Sequence, residues 1–310
     1  MSNSFPLVTI ITPAYNRASF LDETIQSVLS QDYPYLEYIV LDDGSTDNTL
    51  QILEKYRNRI VLESHPNLGE ARTVNKGLSM AKGDIISIVN SDDPLLPGAI
   101  RTSVTVLQEN PDALAAYPDW NEIGPHSEFI QQLKLPDYDI HNMLMGFSIG
   151  MGPGVFIRRH AIEKLGMRDT RFKYVGDLDL WLRLALNGKL IHIPQPLATH
   201  RLHPDSASVT DRGPLLAGEL IDLVYKIYAQ PNLTADLRRA QNHVFSQAYY
   251  AAAHYCGSDR AAKVRYLMRS FWFDPLEYSP FSIRVYTRIA KLILPRSVRI
   301  RIKNLFLKER

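Results

Sequence analysis

The 310-residue sequence predicts an α/β fold in which a doubly wound, mostly parallel sheet is followed by a helical C-terminal extension. Two observations predict this fold. Short β-branched and apolar runs alternate with segments of helical periodicity over about the first 90 residues, and such alternation is typical of parallel sheets covered by helices. From about residue 213 the sequence becomes rich in Ala, Leu, Tyr and Arg, which indicates a helical region.

Local sequence signals predict each element in turn. The run from Val8 to Thr12, closed by Pro13, is typical of a buried strand. Apolar residues at helical spacing from Leu21 predict the next helix, with Ser19 as its cap. The same criteria place strands at 38–41, 60–63, 85–89 and 155–158, and helices at 49–56, 70–81 and from about 176 onward.

The composition is that of an ordinary globular protein, with 45% hydrophobic and 22% charged residues. The single cysteine, Cys256, excludes an internal disulfide and multi-cysteine zinc sites, and we interpret it as a small apolar residue on a helix. The segment from Met1 to Pro6 does not form a secretory signal, and no apolar run is long enough to span a bilayer. A cytoplasmic protein is therefore expected.

Polar clusters follow three of the predicted strands at the point where each strand ends. They are the segments 13–16, 42–47 and 90–93. Because the carboxyl ends of parallel strands meet at one edge of a sheet, these clusters are expected to converge there. The sequence therefore predicts a ligand site at that edge.

Four motifs occur in order along the chain: Val8-Thr9-Ile10-Ile11-Thr12-Pro13-Ala14-Tyr15-Asn16, Asp42-Asp43-Gly44-Ser45-Thr46-Asp47, Asn90-Ser91-Asp92-Asp93 and Gly176-Asp177-Leu178-Asp179-Leu180-Trp181-Leu182-Arg183. This set, over roughly residues 7–210, resembles the family 2 glycosyltransferases of GT-A fold. The resemblance implies a Rossmann-like nucleotide-sugar half at 1–97 and an acceptor half at 98–212. It also implies inverting transfer from a nucleotide-diphosphate sugar, UDP by default, with Mn2+ or Mg2+.

The resemblance assigns a pocket for the nucleotide base to Asp43, Pro13 and Tyr15. A carboxylate at a strand end can accept a hydrogen bond from the imide N–H of a pyrimidine. The alternative for Asp43 is a surface turn, and Asp47 is better explained as a cap of the next helix. Arg72, near the start of the third helix, is a candidate for the base or the diphosphate, although it is equally explained as a solvated residue.

The segment 90–93 stands where the family carries its Asp-x-Asp metal motif. Asp92 is assigned to the metal, because hard divalent cations take one or two carboxylates together with substrate phosphates. The first acid of the motif is Asn90 here, and we assign Asn90 and Ser91 to nucleotide binding. Asp93 is expected to support the turn.

The segment 199–204 resembles the Arg-x-His segment of the family. His203 is a candidate metal ligand and Arg201 a candidate diphosphate clamp, because a guanidinium matches two phosphate oxygens. For His203, an exposed loop histidine is the alternative.

Asp177 matches the general base of the family, which deprotonates the acceptor hydroxyl as it attacks the anomeric carbon. The acid that usually precedes it is Gly176 here, and a helix cap is the alternative role of Asp177. Asp179 is expected to pair with Arg183 as a structural contact. Gly152 and Pro153 fall where the family lines the acceptor cleft, although a plain turn would explain them nearly as well.

The C-terminal end carries most of the positive charge. Residues 281–310 contain nine Lys/Arg and one acid, so the other 280 residues carry 26 basic and 32 acidic side chains. After a helical extension at 213–280, this tail resembles two basic amphipathic helices, which either contact the inner face of the cell membrane or pack on the catalytic domain. Nucleic-acid binding is not expected, because the basic residues lack interleaved aromatics.

Two functions remain open at this stage. The first is a sugar transferase acting on a saccharide or lipid-linked saccharide acceptor. The second is a catalytically weak nucleotide-sugar-binding or scaffold protein of the same fold, motivated by Asn90 and Gly176. A nucleotidyltransferase is disfavoured, because the loop after the first strand is not a Gly/Arg/Lys-rich phosphate loop.

Overall fold

The computed structural model describes residues 5–147, 150–204, 213–257 and 259–275. The chain divides into two compact units, one of residues 1–144 with 148–210 and one of 145–147 with 211–310. The division after residue 210 lies next to the boundary expected near Arg212. The basic tail at 281–310, and the membrane contact expected of it, lie outside the described residues.

The first unit alternates strands and helices in the predicted order as far as residue 88; beyond it, only the strand near 155–158 and the helix from about 176 had been predicted. Its elements are β1 Val8–Ala14, α1 Leu21–Leu29, β2 Leu36–Asp42, α2 Thr49–Glu54, β3 Val61–Ser64, α3 Glu70–Met80, β4 Ile85–Ile88, α4 Ala99–Glu109, β5 Ala113–Ile123, β6 Phe129–Leu133, α5 Ile140–Met145, β7 Phe156–Arg158, α6 Arg159–Leu165, α7 Gly176–Asn187 and β8 Lys189–Arg201. Two local predictions were wrong. Pro13 does not close β1 but pairs in register with Leu41, and Phe20, not Ser19, is the N-cap position of α1.

The strands form one mixed sheet of order β3-β2-β1-β4-β7-β5-β6, with β8 paired to β5. The four strands β1 to β4 are mutually parallel, whereas β7 is antiparallel to both of its neighbours. The chain runs outward from β1 to β3 and then returns to the other side of β1. The strand order therefore reverses between β1 and β4, and a crevice at their carboxyl ends is the usual ligand site of such a sheet.

The core of this unit follows from the patterns that predicted its elements. Strand β1 is buried along its whole length, and α1 buries Leu21, Ile25 and Val28 on one face. Each such side chain stabilises the fold by about 1.5–3 kcal/mol when fully buried. The polar loops at the strand ends thus rest on a well-packed apolar layer.

The second unit is helical among its described residues. Its elements are α8 Gly213–Tyr228, α9 Ala235–Arg239, α10 Gln241–Tyr255 and α11 Arg260–Phe273. Helix α10 packs against both α8 and α11, and its Phe245 ring stacks on Phe273 with centroids 5.2 Å apart. Cys256, at the end of α10, is buried. Within the described ranges, no helix has the length and apolar character needed to cross a bilayer.

Candidate active site at the carboxyl ends of β1 and β4

Three charged or titratable side chains meet where the strand order reverses. Asp92, in the loop after β4, places Oδ2 3.0 Å from Nε2 of His203 and 3.4 Å from Nε of Arg17. The Asp92 side chain is 14% exposed and that of His203 only 2%. The structure thus brings together the two predicted metal ligands, which are 111 residues apart in sequence.

Asp93 supports the arrangement of Asp92 and His203 through its hydrogen bonds. Its carboxylate is buried and accepts hydrogen bonds from the backbone N–H of Arg201 (2.8 Å) and from Nδ2 of Asn90 (2.9 Å). Burial, followed by the charge of Asp92, raises the pKa of Asp93. Asp93 therefore supports the loop, as predicted, and ties the end of β8 to the loop after β4, which sets His203 beside Asp92.

Asn90 and Ser91 occupy different environments in that loop. Asn90 is exposed, and its amide stabilises Asp93. Ser91 is buried, and its carbonyl accepts a hydrogen bond from Thr24 of α1 at 3.1 Å. The loop 90–93 is therefore held by the hydrogen bond between Asn90 and Asp93 and by the hydrogen bond from Thr24 to Ser91. Asn90 is the residue of this loop that faces solvent.

The placement of Arg201 does not suit the predicted diphosphate clamp. Its side chain is 1% exposed. Nε donates to the carbonyl of Asp92, Nη1 to the carbonyl of Gly124 and to Oγ of Ser127, and Nη2 to Glu23 at 2.6 Å. A guanidinium enclosed in this way fixes neighbouring loops and cannot also grip two phosphate oxygens. The assignment from sequence is therefore corrected to a structural role.

Arg17 was not singled out by the sequence. It follows the loop 13–16 directly, and its guanidinium also lies against the carbonyls of Tyr15 and Asn16. The guanidinium of Arg17 and the imidazole of His203 lie against the same oxygen of Asp92, Oδ2. This oxygen therefore attracts positive charge. The signal that would have found Arg17 is its position, one residue beyond a loop already assigned to the site.

Asp92 and His203 fit a metal ion that takes most of its other ligands from the diphosphate of a bound substrate. No group of three or more His, Cys, Asp or Glu side chains gathers in metal-binding geometry within the part of the chain that the structure describes. Asp92 and His203 supply one oxygen and one nitrogen, which suit Mn2+ or Mg2+ if diphosphate oxygens and water complete the shell. Among the described residues, Asp92 and His203 are thus the two side chains assigned to the metal.

Asp43 organises the loop that precedes α3. Its Oδ1 and Oδ2 accept hydrogen bonds from the backbone N–H groups of Leu68 (2.6 Å) and Gly69 (3.0 Å), and Nδ1 of His65 lies 3.4 Å from Oδ1. The carboxylate is 5% exposed. Asp43 thus shapes the loop before α3. A nucleotide base bound at this carboxylate would share oxygens that already accept hydrogen bonds from the backbone N–H groups of Leu68 and Gly69.

The other predicted nucleotide residues differ in exposure. Tyr15 is 45% exposed and Arg72 is exposed near the start of α3, whereas Pro13 is buried within β1. His65, which the sequence did not indicate, has a buried Nε2 without a hydrogen-bond partner among the described residues. The structure therefore adds an imidazole to the surroundings of Asp43.

Asp177 lies in the first turn of α7, where its Oδ1 accepts a hydrogen bond from the N–H of Leu178 at 2.8 Å. Desolvation raises its pKa, while the nearby guanidinium of Arg168 opposes that shift. Arg168 is itself fixed to α3 through Glu70 at 2.7 Å and through paired hydrogen bonds between its backbone and Asn75. A carboxylate with a raised pKa is a better proton acceptor near neutral pH than an ordinary aspartate.

Asp179 and Arg183 have the structural role predicted for them. Their side chains are buried and form a pair with an N–O distance of 2.8 Å. Arg183 also donates to the carbonyls of Leu165, Gly166 and Met167. This contact anchors α7 to the segment after α6 and thereby sets the position of Asp177.

Gly152 lies against the ring of Trp120. Its φ is +69°, and a Cβ built on it would approach Cζ3 of Trp120 to 2.3 Å. Trp120, on β5, is buried, and its Nε1 has no hydrogen-bond partner among the described residues. The structure thus places Gly152, which directly precedes Pro153, beside an indole that the sequence had not indicated.

Comparisons with known proteins bear on this site. The model of the glycosyl transferase family 2 domain matches residues 9–166, about half of the chain. The hyaluronan synthase of Pasteurella multocida is 29% identical over 218 residues, which cover 68% of this chain and 22% of that protein. The chain spans less than two thirds of the length of the first curated relatives that it matches.

Solved structures share the fold. TarS 1-349 of S. aureus in complex with UDP-GlcNAc has a TM-score of 0.63 and 16% identity, over 89% of this chain and 94% of that one. The mannosyltransferase PcManGT of Pyrobaculum calidifontis, in complex with GDP-Man and Mn2+, has a TM-score of 0.62 and 19% identity, over 96% and 83% of the two chains. The predicted GT-A fold is confirmed, and the chain belongs to glycosyl transferase family 2.

Proposed function

We propose that this protein is an inverting glycosyltransferase that moves a sugar from a nucleotide-diphosphate donor, by default a UDP-sugar, to a hydroxyl of a saccharide or lipid-linked saccharide. The convergence of Asp92, His203 and Arg17 at the switch point of a family 2 sheet carries the proposal. The neighbours in complex with UDP-GlcNAc and with GDP-Man and Mn2+ support a nucleotide sugar and a divalent cation.

Asp92 and His203 would hold the metal ion, Mn2+ or Mg2+, which when bound offsets negative charge on the departing diphosphate. Arg17 already lies at that carboxylate and has N–H groups suited to phosphate oxygens. Pro13, Tyr15 and Asp43 would form the pocket for the nucleotide base, and Arg72, Asn90 and Ser91 would contribute further contacts to the nucleotide. Those residues orient the donor so that its anomeric carbon faces the acceptor side of the crevice.

Asp177 would act as the general base. Its carboxylate takes the proton of the acceptor hydroxyl while that oxygen bonds to the anomeric carbon and the bond to the diphosphate breaks on the opposite face, which inverts the configuration. The raised pKa of Asp177 favours proton uptake. Gly152, Pro153 and the Trp120 ring would form a wall against which an acceptor sugar packs.

The acceptor class is proposed from the relatives. A hyaluronan synthase among them supports a growing polysaccharide as the acceptor. Segment 281–310 carries nine basic residues and one acid, a composition that favours contact with the anionic inner face of the membrane. A cytoplasmic enzyme in such contact would also meet a lipid-linked acceptor.

A screen of nucleotide sugars for Mn2+- or Mg2+-dependent hydrolysis tests the proposal most directly. One nucleotide sugar is expected to be hydrolysed or transferred, and chelation of the metal is expected to stop the reaction. Asp177→Asn should abolish turnover and leave donor binding, measured by calorimetry, nearly unchanged. Turnover by Asp177→Asn at the parental rate would show that Asp177 is not the base.

The second candidate function is a nucleotide-sugar-binding or scaffold protein. Asn90 and Gly176 favour it, because each stands where relatives of this fold usually carry an acid. The same screen separates the two functions. Saturable donor binding without turnover for any donor, metal or acceptor would establish the binding protein and refute the enzyme.

A further inference from the structure

Helix α11 exposes an apolar face that the fold of its own unit does not use. Val264, Met268 and Trp272 recur every fourth residue, so they share one side of the helix, and their exposed fractions are 55%, 67% and 81%. The opposite side packs inward, where Ala262 and Ser270 are buried. Single exposed apolar residues are common on soluble proteins, whereas three large ones on one helical stripe indicate a contact surface.

Contacts with α10 fix which side of α11 faces outward. Ser270 donates from Oγ to the carbonyl of Ser246 at 2.7 Å, and the ring of Phe273 stacks on Tyr249 with centroids 5.5 Å apart. These contacts stand on the buried side and hold the helix against rotation. The packing of α11 against α10 therefore leaves the stripe of Val264, Met268 and Trp272 exposed to solvent.

The charge on α11 has a single sign. Residues 260–273 contain Arg260, Lys263, Arg265 and Arg269 and no acid. Arg265 and Arg269 are exposed, and at 100° per residue they lie on the flank of the apolar stripe next to Trp272. An apolar stripe bordered by basic side chains, with a tryptophan near one end, is the form of helices that lie in the headgroup region of a membrane.

Charge also argues against two other occupants of this face. The tail at 281–310 carries nine basic residues and one acid, so packing it on α11 would place like charges together. A second copy of the chain, paired through the same face, would oppose two sets of four positive charges. An anionic surface is complementary to both α11 and the tail, and it contributes about 1 kcal/mol of attraction per basic side chain near the membrane.

We infer that α11 is a docking surface for a membrane that contains anionic phospholipids, with Val264, Met268 and Trp272 entering the headgroup region and Arg265 and Arg269 contacting the phosphates. The inference goes beyond the proposed function, since it assigns the contact to a described helix and does not depend on catalysis. Binding through α11 would bring the enzyme to the membrane surface that also carries a lipid-linked acceptor.

Vesicle co-sedimentation of the full chain tests the inference. The parent protein should bind phosphatidylglycerol-containing vesicles, bind pure phosphatidylcholine vesicles far more weakly, and dissociate as salt is raised. The double variant Arg265→Gln/Arg269→Gln should bind roughly 30-fold more weakly, since two favourable contacts are lost. Lys55→Gln/Lys189→Gln is the matched control, because both lysines are exposed on the first unit, and its binding should equal that of the parent.

Tryptophan fluorescence locates the contact. Binding should shift the emission to shorter wavelength as Trp272 leaves water, and Trp272→Phe should bind but lose that shift, because the remaining tryptophans, Trp120 and Trp181, lie outside α11. Parental binding by Arg265→Gln/Arg269→Gln would place the contact elsewhere and overturn the inference. So would absence of binding to anionic vesicles, or a concentration-dependent dimer, without lipid binding, that Met268→Ser/Trp272→Ser disrupts.

Discussion

Replacing Arg201 by methionine is expected to destabilise the first unit while changing the affinity for a nucleotide diphosphate by less than about tenfold, that is by less than about 1.4 kcal/mol. Methionine fills much of the same volume but donates no hydrogen bond. The carbonyls of Asp92 and Gly124 would lose the donors that now lie at 2.9 and 3.2 Å. A buried acceptor without its donor costs about 1–3 kcal/mol, so the two together cost about 4 kcal/mol.

The ion pair with Glu23 adds little to that sum, because the Glu23 side chain is 48% exposed and water replaces its partner. With a urea dependence of about 2–3 kcal/mol per molar, the unfolding midpoint should fall by about 1–2 M. Urea unfolding followed by tryptophan emission in a Trp272→Phe background measures this in the first unit, since Trp120 and Trp181 then remain as reporters.

Arg57→Met is the matched control. Arg57 and its partner Glu54 are exposed, so its midpoint should equal that of the parent. Calorimetric titration with UDP and Mn2+ supplies the second measurement. If Arg201→Met unfolded at the parental midpoint and lost diphosphate binding, the buried role derived from the structure would be wrong and the clamp predicted from sequence would be right.

Three further predictions concern the site. Because burial raises the pKa of Asp177, kcat/KM should fall as pH drops through a value above the ordinary aspartate pKa. The folded state then binds more protons than the unfolded state between those two pKa values, so stability falls as pH rises through that window. Asp177→Asn should therefore raise Tm at neutral pH, and an unchanged Tm would contradict the raised pKa. Asp92→Asn should weaken Mn2+ binding in the presence of UDP by about 10-fold or more, measured by electron paramagnetic resonance, whereas Glu54→Gln serves as the control, because Glu54 is an exposed carboxylate that pairs with Arg57. Gly152→Ala should lower the stability by about 1–3 kcal/mol and alter Trp120 emission, because its Cβ would overlap the indole at positive φ; parental stability and emission would show that the ring moves freely.

The order of elements up to β4 was predictable from sequence because it depends on short-range patterns, whereas α4, β5, β6, α5, α6 and β8 were not predicted. The β-branched run in β1 and the apolar spacing of α1 are both local, and both elements lie where these patterns indicated. Errors arose at element ends. Pro13 lacks only a backbone donor, so its carbonyl side still fits the parallel register with β2, and the predicted end of the strand came too early.

Site residues were predictable to the extent that the loops after strands are local features. Asp92, His203 and Asp177 were named from motifs, and the structure brings the first two to 3.0 Å. Arg17, His65 and Trp120 were missed. The significance of each depends on a partner at least 20 residues away in the sequence, which no local motif indicates.

Local patterns were enough to predict the strands and helices up to residue 88, the family and most of the polar side chains around the crevice, because each depends on residues close together in the chain. The enclosure of Arg201, and the contact of His203 with Asp92, follow from long-range packing that no local pattern contains. Burial of a long charged side chain depends on what packs over it. For Arg201 those groups come from residues 23, 92 and 124–127, and no local pattern brings them together.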